Sequence, residues 1–183
     1  MVNLVKDYIL DSFNELLKEY PFNKITVKMI IEKSGVSKST FYRNYLDKYD
    51  VMYYSYKRLL DDWMKSHKCH SWRELFLKIF LASKRNKNRE KNAFSYIGTN
   101  SYSEALYDYS YETVEKVAER CRGVPLSSEE RFKLSLFVYG AVSVNLDYVN
   151  GKYDSPPEEI ADQMYEAMPD SLRDLWFDEI AAK

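Results

Sequence analysis

The sequence predicts an all-α protein of nine or ten helices, and three observations support this fold class. Glycine and proline are scarce, with five of each in 183 residues, whereas sheet folds need frequent turns. Apolar residues recur at intervals of three and four along most of the chain, which is the period of an amphipathic helix. Serine, threonine or aspartate stands at the start of most of these segments, where its side chain can cap a helix.

Four helices are expected in the first third of the chain, over residues 5–20, 27–34, 38–45 and 48–64. Pro21 ends the first helix, because a proline ring clashes with a helix interior. Thr26, Ser37 and Asp47 precede the next three helices and can cap them. Gly35 follows the second helix, at a position that favours a residue without a Cβ.

Six more helices are expected, near residues 72–84, 92–99, 103–122, 128–149, 156–168 and 171–182. Three of them start with the sequence of a capping box, in which a serine and a glutamate three residues later satisfy two backbone N–H groups. These pairs are Ser71 with Glu74, Ser127 with Glu130, and Ser155 with Glu158. Pro156 would occupy the first helical position of its helix, where a missing N–H costs nothing.

The net charge of −1 conceals a strong segregation of charge along the chain. Residues 24–48 carry a net charge of +4 and residues 65–91 a net charge of +7, whereas residues 92–183 carry −9. The N-terminal half can therefore attract a polyanion, which the C-terminal half would repel. The most basic run, residues 84–91, is open to two interpretations: a surface for DNA or an anionic effector, and a solvated loop between helices.

Several classes of protein are disfavoured. No stretch approaches eighteen apolar residues and the N-terminus has no signal-peptide core, so a cytoplasmic protein without a membrane association is expected. Cys69 and Cys121 cannot form a disulfide framework and are expected to be reduced. The segment His67–His70 holds three possible metal ligands, but a polar connection between helices is the favoured interpretation. No motif of an enzyme is present, so no catalytic residue, metal or cofactor is expected.

Residues 26–45 have the spacing of a helix–turn–helix, with a short helix, a tight turn and a second short helix. Gly35 suits the positive φ that such a turn commonly requires. The second helix leaves a set of donors and cations exposed, namely Lys38, Ser39, Thr40, Tyr42, Arg43 and Asn44. Such side chains suit phosphates and base edges. The alternative is a three-helix bundle with a solvated basic face.

The N-terminal motif resembles the DNA-binding domain of the TetR family of one-component transcriptional regulators. The segments that carry the resemblance are Ile25-Thr26-Val27, Ser34-Gly35-Val36-Ser37, Thr40-Phe41-Tyr42-Arg43-Asn44-Tyr45 and Asp47-Lys48-Tyr49-Asp50. Two departures from the family pattern, Ser34 for alanine and Tyr45 for phenylalanine, are close in size. Further along, Phe137–Val142, Tyr148–Gly151 and Ser155–Ile160 resemble a TetR subgroup that includes a coactivator of dihydroxyacetone kinase genes.

The resemblance implies an N-terminal three-helix helix–turn–helix DNA-binding domain, residues 1–48, and a C-terminal helical effector-binding and dimerisation domain, residues 49–183. Its implied partners are double-stranded operator DNA, a second copy of the chain and an unknown small-molecule effector. Contacts with the DNA backbone are implied for Thr26, Ser37, Thr40, Tyr42 and Lys48. The candidates for base edges are Lys38, Ser39 and Arg43, with Lys28 as a flanking contact.

Aromatic residues in two stretches suggest a small-molecule pocket between helices, because such rings form apolar walls with polar tips. The candidate residues are Phe76, Phe80, Phe94, Tyr96, Tyr102, Tyr107 and Tyr111. The alternative is that these rings belong to the hydrophobic core.

The helix near 128–149 carries apolar or small residues nearly all round, so it is expected to be covered on both sides. One side would face its own core and the other a second copy of the chain. The expected dimer residues are Leu136, Gly140, Val144, Leu172 and Trp176. These expectations describe a homodimeric repressor; the alternative is an interaction protein of the same fold that acts through a partner subunit.

Overall fold

The computed structural model describes residues 4–65 and 69–176, and within these ranges it contains ten α-helices and no strand. The predicted all-α class is therefore confirmed. The helices are α1 Leu4–Glu19, α2 Val27–Ser34, α3 Lys38–Asn44, α4 Lys48–Lys65, α5 Trp72–Arg85, α6 Lys87–Ala93, α7 Tyr102–Arg122, α8 Ser128–Asn150, α9 Pro157–Glu166 and α10 Asp170–Arg173. A 3₁₀ turn at Phe22–Lys24, which we call the Phe22 turn, lies between α1 and α2.

The chain forms two compact units, each assembled from two separate segments. The first unit contains the residues up to Arg58 together with Asn86–Ala105. In this unit α1 packs against both α2 and α6. Its fully buried side chains include Ile9, Phe13, Leu17, Phe22, Ile25, Ile30, Phe41 and Val51. Burial of each large apolar side chain is worth about 1.5–3 kcal/mol, so this core holds the short helices α2 and α3 in place.

The second unit contains Leu59–Arg85 and the chain from Leu106 onward. Here α5 packs against α9 and α8. The indole N–H of Trp72 donates to the carbonyl of Leu175 at 2.6 Å, and the rings of Trp72 and Trp176 meet edge to face at 4.9 Å. The chain after α10 is thus anchored on α5. None of the helices in the described residues is long and apolar enough to cross a lipid bilayer.

The sixth helix differs from the prediction. The sequence predicts a helix near 92–99, whereas α6 covers Lys87–Ala93 and so includes part of the run interpreted as basic surface or solvated loop. Glu90 and Ala93 are buried in the first unit, which explains why this segment is helical. After α6, Gly98 with a φ of 157° and Asn100 with a φ of 60° are incompatible with a continuing helix.

Three further helix ends test the sequence patterns. The predicted capping box of Ser127 and Glu130 is confirmed at the start of α8. The helix after Ser155 begins one residue later than predicted, with Pro156 as its N-cap and Pro157 as its first residue. Of the helix predicted near 171–182, α10 covers the part up to Arg173 and residues 174–176 are not helical; residues 177–182 lie outside the described residues.

Candidate nucleic-acid interface

The turn between α2 and α3 is defined by local hydrogen bonds. The hydroxyl of Thr26 accepts from the N–H of Met29 at 3.2 Å and caps the start of α2. At the other end Gly35 has a φ of 69°, and its N–H donates to the carbonyl of Ile31 at 3.0 Å. A side chain at this φ would be strained even though a Cβ would have open space around it. Glycine is therefore required by the backbone conformation, and the predicted tight turn is present.

The N-terminus of α3 carries a compact network of hydroxyl groups. The hydroxyl of Ser37 accepts from the N–H of Thr40 at 3.0 Å and donates to the Thr40 hydroxyl oxygen at 2.9 Å. The guanidinium of Arg43 also donates to that oxygen, at 3.3 Å. The Thr40 oxygen accepts twice, which leaves its own proton available to an outside acceptor such as a phosphate. These contacts also fix the orientation of Arg43 along the helix.

The inner face of α3 is anchored on the core of the first unit. Phe41 is fully buried, and the buried Tyr45 donates its hydroxyl to the carbonyl of Lys6 at 3.4 Å. Burial raises the pKa of Tyr45 above its usual value, so this hydroxyl stays a donor. The ammonium of Lys6 lies over the rings of Tyr45 and Tyr54, at 5.6 and 5.4 Å. Tyr45 thus joins α3 to α1.

The outer face of α3 brings together the candidates for base contacts. Lys38, Ser39 and Arg43 are exposed, and the ring of Tyr42, 49% exposed, packs edge to face on Phe41 at 5.3 Å. On α2, Lys28 is exposed and makes a loose pair with Glu32 at 3.7 Å. Leu46, which the sequence reading did not single out, is 80% exposed directly after α3. Its only sequence signal is an apolar residue between Tyr45 and the cap of α4.

Lys48 is held by backbone carbonyls. Its ammonium donates to the carbonyls of Phe22 and Ile25 at 3.0 and 2.9 Å. Burial lowers the pKa of Lys48, and the charge of Asp47 opposes that shift. Since an ammonium has three donors, one N–H remains for a phosphate. The phosphate contact of Lys48 stays a prediction, and its structural contacts are an additional role.

The start of α4 is capped by acidic side chains. The carboxylate of Asp47 accepts from the N–H groups of Tyr49 and Asp50 at 2.8 and 2.9 Å. Asp50 in turn accepts from the N–H of Leu46 at 3.0 Å. These N–H groups are therefore occupied by carboxylates rather than open to a phosphate. At this end of α4, Lys48 is the group suited to an anion.

The seven predicted pocket residues are divided between the units. Phe94, Tyr96 and Tyr102 belong to the first unit, where Phe94 and Tyr102 meet edge to face at 4.8 Å. The other four belong to the second unit: Phe76, Phe80, Tyr107 and Tyr111. Three of those four pack on aromatic rings of α8: Phe76 on Phe137, Phe80 on Tyr148 and Tyr107 on Tyr139, at 6.1, 5.2 and 3.9 Å. Ring-to-ring packing of this kind is also what the core interpretation expects, and the pocket stays a prediction.

The predicted dimer residues have different environments in the chain. Leu136 is 60% exposed and Gly140 is exposed on α8, and Val144 is partly exposed one turn further. Leu172 is buried within the second unit and offers no surface of its own, while Trp176 packs on Trp72. Beside Leu136, α8 exposes two more large side chains, Phe132 and Tyr139, at 65% and 60%.

Of the possible metal cluster in the segment His67–His70, only Cys69 and His70 are among the described residues. Cys69 is buried, and burial raises its pKa, so the thiol is disfavoured as a thiolate ligand. The N–H of His70 donates to the carboxylate of Glu74 at 2.8 Å.

Comparison with known proteins agrees with this geometry. Residues 9–52 match the family profile described as bacterial regulatory proteins of the tetR family, and residues 70–170 match the profile described as a transcriptional regulator C-terminal region. Together they define a transcriptional regulator with a helix–turn–helix DNA-binding segment. The chain belongs to the TetR family, whose members are DNA-binding regulators rather than enzymes.

The solved structures that match the chain include the following two. The dihydroxyacetone kinase operon activator DhaS superposes with a TM-score of 0.62 at 11% identity, covering 96% of this chain and 100% of that chain. The reduced form of E. coli NemR gives a TM-score of 0.48 at 12% identity, covering 90% of this chain and 97% of that chain. The likeness to DhaS concerns the fold. Among curated protein sequences, none matches this chain significantly.

Proposed function

We propose that this TetR-family regulator is a repressor that binds double-stranded operator DNA as a homodimer and is released by a small-molecule effector. One observation supports operator recognition above all: α3 is anchored by Phe41 and Tyr45 while Lys38, Ser39 and Arg43 stay exposed. A rigid helix with outward cations and hydroxyls has the form of a recognition helix in the major groove. We assign operator binding to residues 1–48 and dimerisation and effector binding to residues 49–183.

The candidate contacts separate into two kinds. On the outer face of α3, Lys38, Ser39 and Arg43 are assigned to base edges, and Arg43 can pair with the O6 and N7 atoms of a guanine. The groups at the edges of the motif are assigned to phosphates: Thr26, Ser37, Thr40, Tyr42 and Lys48. Lys28 flanks the base contacts. Phosphate contacts set affinity and register, whereas base contacts set sequence preference.

Two features support the homodimer: the short length of the recognition helix α3 and the exposed apolar side chains of α8. A seven-residue helix reads few base pairs, so a specific operator calls for two half-sites and two copies of the chain. The exposed apolar side chains of α8 are the proposed surface between the copies. An effector site is placed among the aromatic side chains of the second unit, and the regulator is placed in the cytoplasm, where operator DNA is found.

The test starts with selection of bound fragments from host genomic DNA, followed by salt titrations of the selected duplex and a scrambled duplex. Arg43→Ala should cost about 1–3 kcal/mol on the operator and relax its base preference. The control is Lys33→Ala, a cation of α2 whose ammonium pairs with Glu19 at 3.8 Å. This control should retain the wild-type operator preference. Low-molecular-mass metabolite fractions that release the preformed complex would identify the effector class.

The alternative function is a coactivator or interaction protein that acts through a partner subunit. It predicts that the wild-type chain prefers no sequence over scrambled DNA at any salt concentration. That result would contradict the repressor proposal, and candidate partner subunits would then be added to the assay. A preference that appears only with a partner would establish the alternative.

A further inference from the structure

The segment that follows α6 lies about fifty residues beyond the helix–turn–helix, yet it belongs to the first unit. The hydroxyl of Ser95 accepts from the N–H of Phe22 at 3.2 Å and donates to the carbonyl of Asn92 at 2.6 Å. The amide of Asn92 donates to the carbonyl of Leu17 at 2.9 Å. The end of α6 is therefore tied to the Phe22 turn, which connects α1 to the DNA-binding helices.

Tyr96 extends this tie to α4. Its ring lies 6.0 Å from the ring of Phe22 and 5.8 Å from the ring of Tyr49, and those two rings meet edge to face at 5.3 Å. A hydrogen bond with Tyr96 raises the pKa of Tyr49, so the two hydroxyls interact as well. Three rings from three distant parts of the sequence thus form one cluster at the first turn of α4.

Lys48 rests on this cluster. Its ammonium lies 4.4 Å from the centre of the Phe22 ring and 5.5 Å from that of Tyr49. The same ammonium donates to the carbonyls of Phe22 and Ile25. Since Tyr96 packs on both rings beneath the ammonium, a shift of Tyr96 would change the support of Lys48.

Gly98 permits Tyr96 to adopt this position. Its φ is 157°, a value that L side chains rarely adopt, and a Cβ at Gly98 would lie 2.8 Å from the Tyr96 hydroxyl oxygen. The hydroxyl also donates to the carbonyl of Thr99 at 3.4 Å. The loop folds back under the ring, and any larger residue at position 98 would displace the ring.

We propose that Tyr96 is a positioning residue for DNA binding. Through the rings of Phe22 and Tyr49, Tyr96 fixes the position of the Lys48 ammonium. This inference rests on the proposed DNA-binding function. Tyr96 lies in residues 70–170, which match the C-terminal profile, yet under this proposal it contributes directly to the DNA-binding unit. The role needs the aromatic ring more than the hydroxyl, because the ring makes the contacts with Phe22.

The test uses the full chain and a fluorescein-labelled mixed-sequence DNA duplex, with anisotropy measured over a series of salt concentrations. Tyr96→Ala should weaken binding about tenfold and make the slope of log affinity against log salt shallower by about one per bound copy of the chain, the loss of one phosphate contact in each copy. Tyr96→Phe should stay within about twofold of wild type. The matched control is Ile97→Ala in the same loop, since Ile97 is 94% exposed and should bind as wild type does.

A purely structural role would lower the thermal stability of Tyr96→Ala but leave the salt slope of its folded fraction unchanged, and that outcome overturns the proposal. If Tyr96→Ala does not fold, Gly98→Ala replaces it, because it displaces the ring without removing it. Equal affinity and slope for wild type and the displaced-ring variant would also overturn the proposal.

A second measurement needs no DNA. Hydrogen–deuterium exchange of peptides that cover residues 20–26 should be several-fold faster in Tyr96→Ala than in Ile97→Ala; equal rates would contradict the support of the Phe22 turn by Tyr96. If the wild-type chain binds no DNA at all, the proposed function fails, and these exchange rates still show whether the ring cluster holds the turn.

Discussion

At the scale of single residues, the first unit contains a buried ion pair between neighbours in sequence. Arg89 and Glu90 have side chains only 11% and 8% exposed. Arg89 donates to the amide oxygen of Asn14 at 2.8 Å, and Tyr102 donates to the Glu90 carboxylate at 3.2 Å. Burial opposes the charge of Arg89, but Glu90 and Tyr102 together outweigh burial and the pKa of Arg89 is raised. Arg89 therefore stays charged, and both side chains have hydrogen-bond partners on α1 or α7.

Removing one member of this pair should be costly. Arg89→Met is expected to destabilise the protein by about 3–5 kcal/mol, because it leaves the Glu90 carboxylate buried without its cation. Replacing both, Arg89→Met with Glu90→Leu, should recover most of that loss. The control Lys91→Met removes an exposed neighbouring cation and should change stability by less than about 0.5 kcal/mol. Urea unfolding of the four proteins measures this, and equal losses for Arg89→Met and Lys91→Met would contradict it.

At the scale of elements, α8 begins with a complete capping box that is also an ion pair. Glu130 accepts from the N–H of Ser127 at 2.9 Å and from the guanidinium of Arg122 at 2.6 Å. The backbone N–H of Ser127, together with Arg122, lowers the pKa of Glu130 to about 2. A carboxylate with a depressed pKa stabilises the fold above its unfolded pKa, and that stabilisation is lost as the pH falls toward the folded value.

Glu130→Gln should therefore lower the Tm at neutral pH, and the difference from wild type should shrink as the pH falls from about 4.5 to about 2. Glu129→Gln provides the matched control. The Glu129 carboxylate makes an exposed pair with Lys133 at 2.6 Å, outside the capping box, and its loss should change the Tm little. Circular dichroism melting curves across this pH range measure the effect. A constant difference at all pH values would contradict the assignment.

The same elements indicate what a sequence can predict. Thr26, Ser37, Ser127 and Gly35 are local signals, each satisfied within a few residues, and their helix ends lie where the sequence predicts them. The sequence pattern places the sixth helix too far along the chain, because the position of α6 depends on its contacts with α1. No local pattern reveals those contacts. A charged run is also ambiguous by itself, since the side chain of Arg89 is only 11% exposed in the same run in which Lys87 and Lys91 are exposed.

The candidate site shows the same division. Helical periodicity predicts the exposed donors of α3, and the resemblance to the family predicts the DNA contact of Lys48. The hydrogen bonds of Lys48 with Phe22 and Ile25, and the packing of the Tyr96 ring on Phe22, join residues more than twenty positions apart. Local sequence patterns do not report contacts at that separation.

At the scale of the whole molecule, α8 presents a stripe of large apolar side chains that are exposed among the described residues. Phe132, Leu136 and Tyr139 lie on adjacent turns and are each at least 60% exposed. Large apolar side chains grouped on one helix face mark a surface for association. We expect this stripe to pair with its copy across a twofold axis.

Leu136→Arg should give a monomer with wild-type helical content that has lost operator affinity, because a charge in an apolar interface between copies is unpaired. Leu81→Arg is the control, since Leu81 is also an exposed leucine of the second unit, at 45%, but lies on α5. This variant should stay dimeric. Sedimentation velocity at micromolar concentration distinguishes the two states. A wild-type chain that sediments as a monomer would contradict the dimer proposal.

The discontinuous first unit also has a consequence for synthesis of the chain. The helix–turn–helix is translated early. The segments that complete its unit, α6 and the loop of residues 94–101, are made only after α4 and α5. On the ribosome the nascent helix–turn–helix therefore waits for residues up to Ala105 before its core can close. A nascent chain therefore acquires the support that α6 gives to the Phe22 turn only after the residues that follow α6 have emerged.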